Sequence, residues 1–363
     1  MHRILISTSK FGTAIPNYFK FLGEECRKNN FSIIYVFDGQ IKNMPPKEDN
    51  IKYFTYPNKR PTKLKDFIFL CKIIKKEKPS ICISNFGSTN IVTIASYIFR
   101  TPHRINYFHT SPYQLNIDSK NNHFINWVFN LRKMIILKMN THLITNSMQM
   151  SELINHFYKI KKKKISILPY LIKTNKETSK NFNDRDYSIC IVGRLALSKG
   201  HKELLYSFSN CKNQHPDLKL YIVGDGPERK ELEKLSLSLK INKNVIFYGN
   251  VSNKKINKIF SNSLASISAS RSEAFGIVNI ESLREGTPLL CTDTEGSRDI
   301  IEHGKNGLNI DLMKKNDLSD KLDIILKDWK YFSLNSLRTF EKKYSHKNIN
   351  KHFKILMEAI NYS

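Results

Sequence analysis

The chain has 363 residues, 40% of them hydrophobic, including 16 Tyr and 22 Phe. That is enough to bury the cores of two ordinary domains without disulfide or metal support, and it excludes a disordered chain. Lys and Arg outnumber Asp and Glu by 59 to 32, a formal net charge of +27 that attracts polyanions such as nucleic acid, anionic headgroups or phosphorylated substrates. The excess lies mainly in the first half, with 28 basic against 9 acidic residues up to position 175 and 31 against 23 beyond it. A Lys/Asn/Ile-rich composition yields part of such an excess by itself, so charge alone names no partner.

In chain order, "MHRILISTSKFG" opens with an apolar run too short for a signal-peptide core, and no later stretch approaches the roughly 18 apolar residues of a spanning helix. A cytoplasmic protein without an integral anchor is expected. Cys26, Cys71, Cys82, Cys190, Cys211 and Cys291 are scattered, without Cys-x-x-Cys or a Cys/His cluster at ligand spacing, which predicts reduced, buried thiols and no metal site.

The runs "RILIST", "SIIYVF", "ICISN", "RINYFH", "HLITNS" and "KISILP", then "SICIVGR", "KLYIVGDG", "NVIFYGN", "ASISAS", "PLLCTD" and "GLNID", read as strands separated by helical lengths. Repeated strand–helix–strand units of this kind predict an α/β protein with parallel, doubly wound sheets. The polar stretch "KTNKETSKNFNDRDYS", residues 173 to 188, marks a boundary, so a first domain over 1–175 and a second from 176 are expected. Ligands of such sheets sit where strands end and helices begin.

Three strand-to-helix junctions carry candidate chemistry. In "YSICIVGRLALSKGHKELLYSF", Arg194 and Lys199 flank a turn with Gly193 and Gly200, an arrangement that suits a diphosphate, although a solvated basic loop has the same composition. "LKLYIVGDGPERKELEKL" places Gly224 and Gly226 in a second turn, with no third glycine at dinucleotide spacing; a tight turn alone would use them too. "SRSEAFGIVNIESLREGTP" holds Glu273 and Glu281 eight positions apart. Read as one helix from Glu273, closed by Gly286 and Pro288, it separates the carboxylates by about 12 Å, too far for a retaining glycosidase pair at about 5 Å. They read as two anchors along one extended ligand, and an acidic residue at a helix start also has a plain electrostatic reason.

Together, "GRLALSKG", "VGDGPER", "YGNVSN" and "SRSEAFGIVNIESLREGTPLLCTDTEGSRDIIEHGKNGL" resemble the C-terminal half of family 4 glycosyltransferases of the GT-B fold, with its Glu-x7-Glu signature, over residues 187 to 345. The resemblance implies two Rossmann-like domains facing across a cleft: an acceptor domain over 1–175, a nucleotide-sugar donor domain over 176–345, and a C-terminal helix at about 346–363 packing back on the first. It implies that Arg194 and Lys199, with Gly12 of the other half, bind the donor diphosphate. Backbone amides near Phe275, Gly276 and Ile277 approach the sugar and phosphate, Glu273 holds the sugar and Glu281 the ribose. Gly224, Tyr248, Gly249 and Asn250 border the base, and His109, after "RINYF", orients the donor sugar or the acceptor hydroxyl as a catalytic residue beside Glu273. A lone strand-end histidine is otherwise usually structural. The chain departs from the family at Gly12, where paired glycines are common, and at "ILPYLIKTN", where Asn-Gly often follows the proline.

The implied activity is retaining, metal-independent transfer from a nucleotide-diphosphate sugar, a UDP-sugar foremost, to a growing lipid-linked glycan of capsule, O-antigen or exopolysaccharide. No cofactor or metal is called for: fixed cations and helix amides stabilise the departing diphosphate, and the acceptor proton passes to that phosphate by front-face displacement. Asp184 and Asp186 form an Asp-x-Asp, but they precede a strand and read as solvated linker charge. "NKRPTKLKDFIFLCKIIKKEKPS" and "HFINWVFNLRKMIILKMN" have the makeup of interfacial helices, and the second is expected to be core. An anionic membrane surface is therefore the expected partner, placing the protein on the inner face of the membrane. A nucleotide-sugar epimerase is the alternative within the enzymes. A basic nucleic-acid-binding protein is the alternative outside them, and no RRM, KH, OB or helix-turn-helix pattern supports specific nucleic-acid binding.

Overall fold

Parallel strands covered on both faces need continuous apolar runs, and the runs of this chain behave accordingly. The computed structural model describes residues 2–39, 45, 46, 48–109, 111, 123–175 and 180–361. The chain divides into two compact units. The first comprises Met1–His109, Asn121–Ile172 and His346–Ser363, and the second Thr110–Lys120 and Lys173–Ser345.

In the first unit the elements follow as β1 (Arg3–Ser9), α1 (Ala14–Lys28), β2 (Ser32–Asp38), β3 (Ile51–Thr55), α2 (Leu64–Glu77), β4 (Ile81–Asn85), α3 (Thr89–Ile98), β5 (His103–Phe108), α4 (His123–Lys138), β6 (His142–Thr145), α5 (Met148–Tyr158) and β7 (Ile165–Ile167). The described strands form one parallel sheet of order β3-β2-β1-β4-β5-β6-β7. Its core includes Leu5, Ile34, Leu70, Ile74 and Val92, all almost fully buried, at roughly 2 kcal/mol for each such side chain. Helix α5 starts where the Ser147 hydroxyl accepts from the Met150 N–H at 3.1 Å, as an N-cap should. The last helix, α13 (Ile349–Asn361), belongs to this unit: its His352 meets the Tyr18 hydroxyl of α1 at 3.0 Å.

The second unit runs β8 (Ser188–Val192), α6 (His201–Cys211), β9 (Lys219–Val223), α7 (Arg229–Ser238), β10 (Val245–Gly249), α8 (Asn253–Asn262), β11 (Ala265–Ser268), α9 (Ile277–Arg284), β12 (Leu289–Cys291), α10 (Glu295–Ile300), β13 (Gly307–Asn309), α11 (Asp317–Lys327) and α12 (Trp329–Thr339). Its described sheet, of order β10-β9-β8-β11-β12-β13, is parallel throughout. The buried Arg185 anchors the entry to β8. It donates to the carbonyls of Ser263 and Glu285 and to the Thr287 hydroxyl, and its guanidinium lies 4.6 Å from the Trp329 ring. Asp184 and Asp186 flank this arginine, exposed, on the amino side of β8.

The structure departs from the sequence reading at three places. Strand β3 forms from "IKYFT", which no apolar run announced: it is an edge strand with only partial burial, so its composition is mixed. The expected helix from Glu273 begins only at Ile277, because Gly276 takes φ +81° and 273–276 run as a loop. The 12 Å helical separation of Glu273 and Glu281 therefore does not apply. Finally, α4 is not core over most of its length. Val128, Phe129, Leu131 and Ile135 are exposed, while Ile136 and Leu137 are the buried ones among its described side chains.

Candidate active site

In the second unit, close packing of successive strand-to-helix turns builds the carboxyl edge of the sheet. A Cβ on Gly224 would fall 1.9 Å from the Gly193 carbonyl oxygen, one on Gly226 2.3 Å from that of Leu195, and one on Gly200 1.9 Å from that of Ala269. These glycines let turn pack on turn, whereas a Cβ on Gly193 would meet nothing within 4 Å. Gly193 is thus the glycine of this edge that faces open space, directly after β8. Exposed Arg194 follows it, and Lys199 lies in the short turn that ends at Gly200 and opens α6.

Lys199 and Glu273 form an ion pair across this edge, most of both side chains being buried. Glu273 is held from behind: its N–H donates to a Glu295 carboxylate oxygen at 3.3 Å, and its carbonyl accepts from the Gly296 N–H at 2.7 Å. Glu295 also receives the Ser272 hydroxyl at 3.3 Å and so fixes the loop that carries Glu273. Sequence reasoning missed Glu295. Its signal was the capping box of Thr294 and Ser297, which announces a helix start with an acidic first residue.

Gly276 provides the left-handed residue before α9, Phe275 is buried against Tyr344, and Ile277 is the first helical residue. A Cβ on Gly276 would come within 2.8 Å of Asn279 Nδ2. That buried amide nitrogen has no hydrogen-bond partner among the described residues, so a donor stands ready beside the glycine turn. Glu281 lies in α9. Burial raises its carboxyl pKa, with Arg284 acting against burial and Glu285 with it. Gly224 and Gly249 meet in a backbone bridge, the Gly224 N–H donating to the Gly249 carbonyl at 2.9 Å. Tyr248 packs edge-on to Tyr221 at 5.5 Å within an apolar cluster, and Asn250 is exposed next to it.

In the first unit, Gly12 and His109 follow β1 and β5, strands separated by β4. Gly12, at φ +131°, donates its N–H to Asn17 Oδ1 at 2.9 Å, and a Cβ there would meet nothing within 4 Å. His109 Nδ1 lies 3.0 Å from the Tyr170 hydroxyl, and its ring packs edge-on to Phe86 at a centroid distance of 3.8 Å. Burial, and then the charge of Lys133, hold its pKa down at about 3, so the ring is neutral at physiological pH. Lys133 is the second residue that sequence reasoning missed. Its ammonium sits 4.3 Å from the Phe108 ring centre, and burial lowers its pKa to about 8. Within an apolar-looking helix it carried no signal beyond its position.

Comparison with known proteins places these observations. Residues 172–347, just under half of the chain, match the family description "Glycosyl transferases group 1". The uncharacterized glycosyltransferase MJ1607 of Methanocaldococcus jannaschii is 31% identical over 195 residues, 52% of this chain and 50% of that protein. The chain thus spans about half the length of such curated relatives. The capsular polysaccharide biosynthesis glycosyltransferase CapM of Staphylococcus aureus is 24% identical over 89% of this chain and 87% of its own. Among solved structures, Anabaena HepE in complex with UDP and glucose superposes with a TM-score of 0.77 at 15% identity, over 99% of this chain and 100% of that one. The likeness establishes the fold as two Rossmann-like domains of the GT-B kind, and the family match with its relatives supports a transferase.

Proposed function

We propose that this chain is a retaining glycosyltransferase of family 4, transferring a sugar from a nucleotide-diphosphate donor, a UDP-sugar foremost, to a growing surface glycan. The observation that carries the reading is the meeting of Lys199 and Glu273 beside the open turn at Gly193, where a cation for diphosphate and a carboxylate for a sugar hydroxyl share one strand edge. Glu273 and Glu281 supply the Glu-x7-Glu spacing, with Glu281 proposed for the ribose and Gly224, Tyr248, Gly249 and Asn250 for the base. Arg194, Lys199, Gly12 and the amides around Phe275, Gly276 and Ile277 are proposed to hold the diphosphate and sugar, offsetting the charge of the leaving group without a metal or other cofactor. His109 is proposed to orient a hydroxyl rather than to carry a proton, in keeping with its neutral ring.

The relatives' names favour a surface glycan such as capsule as acceptor. We assign the acceptor to the first unit and the donor to the second. The exposed apolar face of α4, beside Arg132, supports contact with an anionic membrane that presents a lipid-linked acceptor. No described helix is long and apolar enough to cross a membrane.

Mass spectrometry of the purified chain with a panel of nucleotide sugars tests the reading. One donor should be hydrolysed or transferred with retention, and EDTA should leave the rate unchanged. Absence of turnover with every donor, together with specific nucleic-acid binding, overturns it. Anionic vesicles should retain the protein at low salt, and Leu131→Gln with Ile135→Gln should release it; retention unchanged in that variant removes α4 from the proposal.

A further inference from the structure

The amino-terminal edge of the first unit's sheet carries a second concentration of positive charge. A cavity of about 450 Å³ is lined there by Lys138, Lys159, Lys161, Lys163 and Lys164, together with His142. No Asp or Glu lines it, and none of the five lysines is in an ion pair among the described residues. Leu143 and Ile160, both buried, contribute an aliphatic floor. Favourable placement at a helix C-terminus explains Lys138, the last residue of α4, and Lys159, which follows α5. It does not explain Lys161, Lys163 and Lys164, which surround the short turn before β7 and converge on the same space.

The pocket is separate from the candidate active site. It opens at the starts of β6 and β7, whereas His109 and Gly12 follow the ends of β5 and β1, so the length of a strand, about 13 Å for four residues, stands between the two edges. Its volume lies within the roughly 300–1,000 Å³ usual for small-molecule sites, too confined for a nucleic-acid duplex. Five ammonium groups around one concavity repel one another, and a multiply charged anion relieves that repulsion where a single carboxylate would not. His142 contributes a polar wall: its Nε2 lies 2.9 Å from the Ser166 hydroxyl, and burial, with the charge of Lys164, keeps its pKa down at about 4. At neutral pH the ring is therefore uncharged and can donate or accept.

We infer that this pocket binds a phosphate ester or diphosphate, Lys138, Lys159, Lys161, Lys163 and Lys164 taking the anionic oxygens and Leu143 and Ile160 the organic portion. A phospholipid headgroup and a soluble phosphate ester share this chemistry.

The test compares the full chain with Lys161→Gln/Lys163→Gln/Lys164→Gln and with a charge-matched control, Lys162→Gln/Lys327→Gln/Lys330→Gln, whose positions do not line the cavity. Calorimetric titration with sn-glycerol 3-phosphate and with inorganic pyrophosphate, at constant ionic strength, should show binding weakened about tenfold or more in the first variant, as expected for lost charge-assisted hydrogen bonds, and little changed in the control. Any phosphate held at Arg194 and Lys199 is common to both variants and cancels. Co-sedimentation with phosphatidylglycerol vesicles separates the sources. Vesicle retention lost in the first variant only, and competed by glycerol phosphate, identifies a headgroup site. Retention equal in both variants, with the titration difference intact, identifies a soluble ligand. Equal behaviour of the two variants in both assays overturns the proposal. So does a titration with a single-stranded oligonucleotide, run alongside, in which the first variant alone is weakened while both phosphates bind the two variants equally, which would make the lysines a nucleic-acid surface.

Discussion

Lys199 and Glu273 stand 74 positions apart in the chain and meet as an ion pair with 19% and 16% of their side chains exposed. The proposed function gives them separate tasks, one on phosphate and one on sugar, so the pair is the resting arrangement that a donor would open. Removing either partner leaves the other desolvated and unpaired, at about 1–3 kcal/mol. Lys199→Ala and Glu273→Ala should each lower turnover by about 100-fold or more and also lower the melting temperature. The double variant should melt higher than the sum of the two losses predicts. Additive stability losses would show that the pair does not couple, and full activity in either single variant would move the donor site elsewhere.

His109 tests the orienting role. With its pKa held near 3 the ring does not titrate near neutrality, so it cannot contribute an inflection close to pH 6.5 to the rate profile. His109→Ala should lower kcat, His109→Asn should recover part of it through its amide, and the profiles between pH 6 and 8 should share one shape. Tyr170→Phe, which deletes the hydroxyl at 3.0 Å, should lower kcat less than His109→Ala does. An inflection present in the native enzyme and lost in His109→Ala would instead make the histidine a proton carrier.

The fold was largely legible because its strands are short, apolar and covered on both faces, as "RILIST" and "SICIV" are in β1 and β8. Edge strand β3 escaped because a strand covered on one side needs no such run. The site was legible only in pieces. Gly193, Arg194, Lys199 and Glu273 could be named from turns and charges, but long-range pairing has no local pattern, so the Lys199–Glu273 contact and the bracing by Glu295 could not be read. Helical periodicity also misled at Glu273, where one glycine in a left-handed conformation delays the helix to Ile277. In α4, the composition of a core helix and that of an exposed apolar face are the same, and packing alone separates them.

Acid should unfold the protein early. Burial holds His142, His201 and His352 at about 4 and His109 at about 3, against an ordinary value near 6.5. Both ring nitrogens of His201 are buried without a hydrogen-bond partner among the described residues, so nothing in its surroundings welcomes a proton. Below pH 6.5 the unfolded chain binds protons that the folded chain refuses, so stability is fully present above pH 6.5 and falls as pH drops toward 4. Between pH 7 and pH 5 each such histidine removes roughly 2 kcal/mol. Urea unfolding followed by circular dichroism should show the midpoint falling steadily over that interval. A midpoint unchanged from pH 7 to pH 5 would mean that these rings are solvated or paired when protonated.

Glu281 gives a pH dependence of a different kind, on binding rather than stability. The proposed ribose role rests on an ionised carboxylate, which accepts charge-assisted hydrogen bonds more strongly than a protonated carboxyl does, and burial raises the pKa of Glu281 from its ordinary value, with Arg284 acting against burial. On acidification the carboxyl therefore takes up a proton before an exposed glutamate would, and the KM for donor should climb while kcat holds. Glu281→Gln keeps the shape but removes the charge. It should raise KM about tenfold at neutral pH and leave it flat on acidification, so that native and variant converge at low pH, with kcat within about twofold of the native value, as expected for a contact made equally in ground and transition states. Steady-state kinetics from pH 8 downward, over the span in which circular dichroism retains the native signal, read both quantities. If the acid limb persists in Glu281→Gln, another group titrates and Glu281 does not hold the ribose. If kcat falls with KM unchanged, its contact forms only in the transition state, and the carboxylate belongs nearer the sugar than the nucleoside.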